Sequence, residues 1–198
     1  MTLAETGDSD GKPWRRAQRE RLLSERESVS GTERQDLTHR LTANLDLVFE
    51  QLTDIRVLGI YWPIKREMNL LEWAGEMGAR RGLTLALPVV VAPKAPLEYW
   101  HWHPAARMTR GFWNIPVPIE KTVVKPDAVI APLVGFQSCW RLGYGGGYFD
   151  RTLAASVPRP IPIGVGLDRM EVEGFHPQPH DIPMTYIVTE SRISSAPV

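Results

Sequence analysis

The clearest chemistry in this sequence lies in one stretch, Arg141-Leu142-Gly143-Tyr144-Gly145-Gly146-Gly147-Tyr148-Phe149-Asp150-Arg151. Its glycines leave the backbone nearly bare, so its N–H groups can approach a ligand closely. An arginine stands at each end, and an aspartate falls where a helix would begin. Bare amides, a helix N-terminus and guanidinium groups are the parts of a phosphate cradle. The stretch is neither GxxxxGK[ST] nor a GxGxxG in a dinucleotide setting, and a glycine run alone could be a tight strand-to-helix turn. Its position favours phosphate. It follows the apolar run 128–134 and enters a helix-compatible piece at 152–155, the place where open α/β sheets put their ligands.

Other groups could complete this site. The first helical segment carries Arg15, Arg16, Arg19, Arg21 and Arg26. Arg15 and Arg19 share a face. That face is either solvated or turned toward phosphates. Tyr61-Trp62-Pro63-Ile64-Lys65-Arg66-Glu67 follows an apolar run. Glu67 is either a charge complementing a helix dipole or a carboxylate that binds the donor groups of a heterocycle. Gly111-Phe112-Trp113-Asn114-Ile115-Pro116 sets aromatics on a loop, where Trp113 either walls a flat ligand or pins the loop to the core. His176 and His180 lie on a proline-rich loop without a third soft ligand nearby, which argues against a transition metal. Asp150 and Asp181 are hard oxygen ligands of the kind Mg²⁺ takes. No Ser-His-Asp or Cys-His spacing is present, and Cys139 reads as a small packed residue.

These residues need elements to hold them. A helix is expected from Pro13, broken at Ser30-Gly31-Thr32, with Thr32 capping a second helix that runs to 52. Leu37, Leu41, Leu45, Val48 and Leu52 repeat at three and four residues and form its core stripe. Strands are expected at 55–62, 83–91, 97–103, 128–136, 161–167 and 186–189, with a helix at 69–81 ended by Gly82. Residues 104–127 read as a long loop with one helical turn near Ala105. The alternation of strand and helix predicts an α/β fold: a three-layer, Rossmann-like sandwich with a mostly parallel central sheet and helices on both faces. Residues 1–11 read as a disordered tail and 12–198 as a single domain.

The 198 residues are 43% hydrophobic and 23% charged, enough for a sizeable core. Zero formal net charge argues against nucleic acid and anionic membrane as partners. The one cysteine excludes an internal disulfide and fits a cytoplasmic location. No apolar run is long enough to span a bilayer, and the acidic N-terminus has no signal-peptide character.

The motifs resemble those of one known family. Tyr61-Trp62-Pro63 with Glu67, Leu85-Ala86-Leu87-Pro88, Trp113-Asn114-Ile115-Pro116, the run 129–151, His180-Asp181-Ile182-Pro183 and Ile187-Val188-Thr189-Glu190 look like a 5-formyltetrahydrofolate cyclo-ligase, also called methenyltetrahydrofolate synthetase. The likeness covers nearly everything from about residue 13 to 190, and RLGYGGGYFDR is its most specific part. It implies ATP- and Mg²⁺-dependent closure of 5-formyltetrahydrofolate to 5,10-methenyltetrahydrofolate, with release of ADP and phosphate. By this resemblance Arg141 and Tyr148 are catalytic. ATP is held by Arg15, Arg19, Arg141, Gly143, Tyr144, Gly145, Gly146, Gly147, Tyr148 and Asp150. Tyr61, Glu67 and Trp113 contact the reduced folate, and Asp150 and Asp181 hold Mg²⁺. The protein is expected to be a monomer.

Three positions depart from the family pattern. Gln137 stands where an aspartate usually follows the phenylalanine, Cys139-Trp140 stands where a glycine is usual, and Arg15 replaces a lysine. A planar fork is not equivalent to a point charge. The alternative these departures raise is a non-catalytic or drifted paralogue that binds a folate or nucleotide on the same scaffold.

Overall fold

The computed structural model describes residues 11–196. The expected N-terminal tail therefore lies outside the described residues, except for Gly11, which opens the first helix. Helix α1 (Gly11–Ser28) has Pro13 in its first turn, where a missing N–H costs nothing. Its buried residues are Arg15, Leu22 and Arg26, so two arginines of this basic helix are buried. Arg16 and Arg21 face water and pair with Glu20 and Glu25 one turn on. Helix α2 (Gly31–Gln51) is capped by Ser30, whose hydroxyl accepts from Glu33 N at 3.2 Å. Ser30 thus takes the role expected of Thr32, because the residue before the helix keeps extended backbone (φ −65°, ψ 164°) and can turn its side chain back onto N3. Leu37, Leu41, Leu45 and Val48 are buried as the stripe predicts.

The strands are β1 (Val57–Gly59), β2 (Thr84–Val89), β3 (Glu98–Trp102), β4 (Met108–Arg110), β5 (Pro116–Pro118), β6 (Val123–Val124), β7 (Ala128–Pro132), β8 (Gly135–Gln137), β9 (Trp140–Leu142), β10 (Ile161–Val165), β11 (Tyr186–Val188) and β12 (Ile193–Ser195). Helix α3 (Leu71–Arg81) connects β1 to β2 and ends at Gly82, which adopts the left-handed φ of 66° that a C-cap glycine supplies. Helix α4 (Tyr148–Ala155) leads toward β10. One sheet has the order β12-β11-β10-β7-β1-β2-β3-β6. Pairing is parallel from β11 through β2 and antiparallel at both margins. The fold is α/β with a mostly parallel sheet, as the alternation predicts. Every residue of β7 is buried, so both faces of the sheet are covered at its centre.

Two expected elements differ. The apolar run 128–136 is not one strand. Leu133 N still bonds Val165 O, but Val134 N bonds Leu142 O, so the chain changes partner there and folds into the separate hairpin β8–β9. Continuous apolarity cannot reveal a change of sheet. Residues 104–127 are not simply a loop either. They hold the hairpin β4–β5, with a 3₁₀ turn at Phe112–Asn114, and the edge strand β6. Near Ala105 there is a single turn, closed by Ala106 N to His103 O, and no helix. Prolines at 116 and 118 demote β5 on sequence rules, and they sit in a short pair where few ladder bonds are needed.

The connectivity positions the site. From β1 the chain crosses through α3 to β2 on one side, while β7 lies on the other side of β1. The strand order reverses between β1 and β7. The segments that follow them carry Glu67 and, after the hairpin β8–β9, the glycine stretch, at the switch point where open α/β sheets place ligands.

Candidate active site

The glycine stretch runs from β9 into α4. Gly145 and Gly147 have φ of 95° and 64°, a conformation that side-chain-bearing residues rarely adopt. Gly147 is the residue before α4, whose first turn carries Asp150. Gly143 is glycine for a different reason: a Cβ there would lie 2.6 Å from Arg141 Nη1. Arg141 is buried beneath the stretch. Its Nη1 donates to Pro132 O at 3.2 Å, its Nη2 donates to Asp150 Oδ2 at 3.1 Å, and the guanidinium lies 5.1 Å from the Phe149 ring centroid. Its Nε is buried and has no partner among the described residues. A guanidinium beside successive bare amides is the arrangement that anion-binding concavities use.

Helix α1 supplies the second wall. Arg19 Nε donates to Gly143 O at 2.7 Å, and its guanidinium stands 3.3 Å from where a Cβ of Gly145 would be. Burial lowers the Arg19 pKa, and the neighbouring Arg15 charge lowers it further. Arg15 pairs with Asp181, donates to His176 O at 2.9 Å and lies over the Phe175 ring. The inward-facing reading of this helix therefore holds for Arg15, Arg19 and Arg26, and the solvated reading for Arg16 and Arg21.

The third wall follows β1. Ile64 to Glu67 form a tight turn, with Glu67 N donating to Ile64 O at 2.9 Å. Lys65 and Arg66 both have positive φ (45° and 58°), the pattern of a type I′ turn usually filled by Asn-Gly. The turn brings the Glu67 side chain back so that Oε2 accepts from Ile64 N at 2.8 Å. Oε1 accepts from the Tyr144 hydroxyl at 2.7 Å, which ties this wall to the glycine stretch. Glu67 is only 5% exposed. Burial pushes its carboxyl above the ordinary carboxylate range, and the Ile64 N–H, the Tyr144 hydroxyl and the charges of Arg26 and Arg141 oppose that rise. Tyr61 is buried beside it and donates its hydroxyl to Met68 O at 2.7 Å.

Trp113 closes the other flank. It is 66% exposed, with φ 52° inside the 3₁₀ turn, and its ring meets Tyr148 edge-on at 5.6 Å. It does not pin the loop to the core. Glu67 and Trp113 thus touch opposite ends of the same stretch, through Tyr144 and Tyr148. With this arrangement in view, similarity to known proteins becomes decisive: a sequence model described as the 5-formyltetrahydrofolate cyclo-ligase family matches residues 11–190.

The chain belongs to the 5-formyltetrahydrofolate cyclo-ligase family. The 5-formyltetrahydrofolate cyclo-ligase of Mycolicibacterium smegmatis is 28% identical over 145 residues, spanning 69% of this chain and 75% of that protein. The enzyme of that name from Escherichia coli K12 is 33% identical over 122 residues, spanning 58% and 67%. Among solved structures, the 5,10-methenyltetrahydrofolate synthetase of Aquifex aeolicus matches with a TM-score of 0.78 at 26% identity, covering 91% of this chain and 92% of that one. The Mycoplasma pneumoniae synthetase has the same fold, with a TM-score of 0.75 at 22% identity over 89% and 99% of the two chains.

The departures of this cyclo-ligase family member have structural roles. Gln137 accepts from Phe175 N at 2.7 Å and so fixes the ring on which Arg15 rests. Trp140 is half-buried on β9 and packs against the core. Being adjacent to Arg141 on a strand, it points to the opposite face of the hairpin, where it pairs with Gln137. Cys139 is buried, and its carbonyl accepts from Met184 N. His176 and His180 are exposed; His176 serves through its carbonyl.

Carboxylates for a cation are few. Among the described residues no three His, Cys, Asp or Glu side chains converge. Asp150 Oδ1 has one long bond, from Ile182 N at 3.3 Å, while both oxygens of Asp181 face Arg15. No helix among the described residues is long and apolar enough to cross a membrane. Arg26 is a buried member of this cluster that the sequence expectations leave among the helix's basic residues without a site role. The signal was present: Arg15, Arg19, Leu22 and Arg26 follow the four-three-four spacing of one helix face.

Proposed function

We propose that this protein closes 5-formyltetrahydrofolate to 5,10-methenyltetrahydrofolate at the expense of ATP. In the reaction the formyl oxygen attacks the γ-phosphorus and ADP leaves. N10 then adds to the activated formyl carbon, and the oxygen departs with the phosphoryl group as inorganic phosphate, taking up the N10 proton. The chemistry asks chiefly for positioning and for neutralising phosphate charge.

The residues divide this work. Arg141 and the amides of Gly143 to Gly147 hold the phosphates, joined by Arg15 and Arg19 from α1. Arg141 lies where charge develops on the transferring group, and its unpartnered Nε supports that role. Tyr144 and Tyr148 border the phosphates, and Tyr148 takes its catalytic place from its position between cradle and Trp113. Glu67 receives the donor edge of the pterin, Tyr61 backs it, and Trp113 covers the flat ring system. Mg²⁺, when bound, shields the phosphate oxygens and draws charge from the leaving group. Asp150, with its less engaged oxygen, fits a ligand role directly. Asp181 borders the same place and, while paired with Arg15, orients that arginine.

The observation that carries this reading is the glycine stretch, which bonds to Arg19 on one side and to Glu67 on the other. One contiguous element thereby joins a phosphate cradle to a heterocycle-binding carboxylate. The test is formation of the methenyl chromophore from 5-formyltetrahydrofolate. Product that requires ATP and Mg²⁺ is expected; folded protein that forms none above the uncatalysed rate overturns the proposal. Binding of folate or ATP without turnover would instead select the drifted paralogue.

A further inference from the structure

Arg26 has an unusual environment. It is 3% exposed, its Nη1 reaches Leu133 O only at 3.3 Å, and its Nε is buried without a partner among the described residues. Among the described residues no carboxylate lies in salt-bridge contact with it. Its firm contact is with the Tyr144 hydroxyl, which in turn donates to Glu67 Oε1. Arg26, Tyr61, Glu67, Met68, Leu133 and Met170 line one small cavity.

The direction of this chain follows from chemistry. A guanidinium has donors and no acceptor. Tyr144 must therefore accept from Arg26, and its own proton is committed to Glu67. The other carboxylate oxygen, Oε2, is held by Ile64 N. Each oxygen of Glu67 thus spends one lone pair on the protein and keeps one. We propose that Arg26 is a positioning residue: acting through Tyr144, it keeps the buried Glu67 carboxylate ionised and presents one free lone pair on each oxygen to a pair of substrate N–H donors. This rests on the reading of Glu67 as the folate contact.

The groups that bear on Glu67 come from every neighbouring element. Arg26 comes from α1, Tyr61 from the end of β1, Arg141 from β9 and Tyr144 from the glycine stretch. Arg34 and Arg66 line the same cavity, and Lys65 Nζ lies 5.3 Å from the centroid of the Tyr144 ring. Of the cations, Arg26 alone bonds to a group that itself bonds Glu67. Arg141 is committed to Asp150 and Pro132 O.

The experiment uses the full chain with 5-formyltetrahydrofolate, ATP and Mg²⁺. Variants Arg26→Met, Arg26→Lys, Tyr144→Phe and the double Arg26→Met/Tyr144→Phe are compared by the pH profile of kcat/KM for the folate. Ionisation of Glu67 is followed separately by infrared difference against Glu67→Gln. In Arg26→Met the acidic limb is expected to move up by about one pH unit. Arg26→Lys restores most of the shift, Tyr144→Phe moves it the same way, and the double variant moves no further than the larger single. An unmoved limb in Arg26→Met, whatever happens to the rate, overturns the proposal, as does a double variant whose shift is the sum of the two. Should Arg26→Met not fold, Tyr144→Phe decides by the same criterion. Should the wild type show no ring closure, the proposed function fails, but the infrared titration still decides the role of Arg26.

Discussion

Gly143→Ala is a small change aimed at the centre of the site. The added Cβ would stand 2.6 Å from Arg141 Nη1 and 3.1 Å from its Cζ and Nη2. The guanidinium would have to retreat by about 1 Å to reach ordinary contact. It has little room to do so, because it is 7% exposed, stacked on Phe149 and bonded at 3.2 Å to Pro132 O and 3.1 Å to Asp150. Both bonds are already at the long end, so such a shift breaks at least one. Overpacking costs about 1–3 kcal/mol, and a loosened buried ion pair adds to it, for a total of about 3 kcal/mol. In a chain of this size that lowers Tm by roughly 6–12 °C. The KM for ATP should rise at least about tenfold, the kinetic equivalent of one lost charge-assisted contact. Thermal unfolding followed by circular dichroism, together with initial rates at varied ATP, makes the measurement. Gly145→Ala is the comparison. Its Cβ meets only the flexible end of Arg19, although the φ of 95° costs it about 1–2 kcal/mol. If Gly143→Ala keeps its Tm within about 2 °C and its ATP kinetics, the claim that Gly143 exists to seat Arg141 is refuted.

Three further substitutions probe the other walls. Asp181→Asn strands the buried Arg15 without its carboxylate and should cost about 3 kcal/mol; calorimetry should show ATP raising the Tm of this variant more than that of the wild type, because phosphate restores the missing negative charge. Trp113→Ala removes an exposed ring and should leave stability within about 0.5 kcal/mol, yet raise the KM for the folate roughly 3- to 10-fold, as measured by steady-state kinetics. Glu67 links stability to pH in the direction opposite to a paired carboxylate. Burial raises its folded pKa above the unfolded value, so the folded state binds the proton more tightly, and its stabilising contribution is greatest below the unfolded pKa and is lost as pH rises through the folded one. The unfolding free energy of the wild type relative to Glu67→Gln should therefore grow as pH falls through the raised pKa, and a difference that shrinks toward acid contradicts this account.

Much of the candidate site's local geometry is legible in the sequence because its parts follow local rules. The glycines announce bare backbone, and the apolar run announces β7, although the hairpin β8–β9 intervenes before the stretch. Glu67 and Trp113 were marked by their place after a strand and on a loop. Long-range arrangement was less legible. That Tyr144 reaches Glu67 depends on β1 and β7 being neighbours, which no local pattern specifies. The hairpin β8–β9 was hidden because residues 133–136 are as apolar as the strand before them. Ser30 displaced Thr32 as a cap through one residue of backbone geometry. Arg26 was obscured because a buried arginine with no carboxylate partner runs against the usual expectation for a charged helix face.

The measurement that tests the central claim most directly follows the formyl oxygen. With 5-formyltetrahydrofolate carrying a heavy oxygen isotope in the formyl group, turnover with ATP and Mg²⁺ should deliver the label to inorganic phosphate, one labelled phosphate for each methenyl product. Label that appears in water, or phosphate that stays unlabelled while methenyl product forms, would contradict phosphoryl transfer to the formyl oxygen at the glycine cradle.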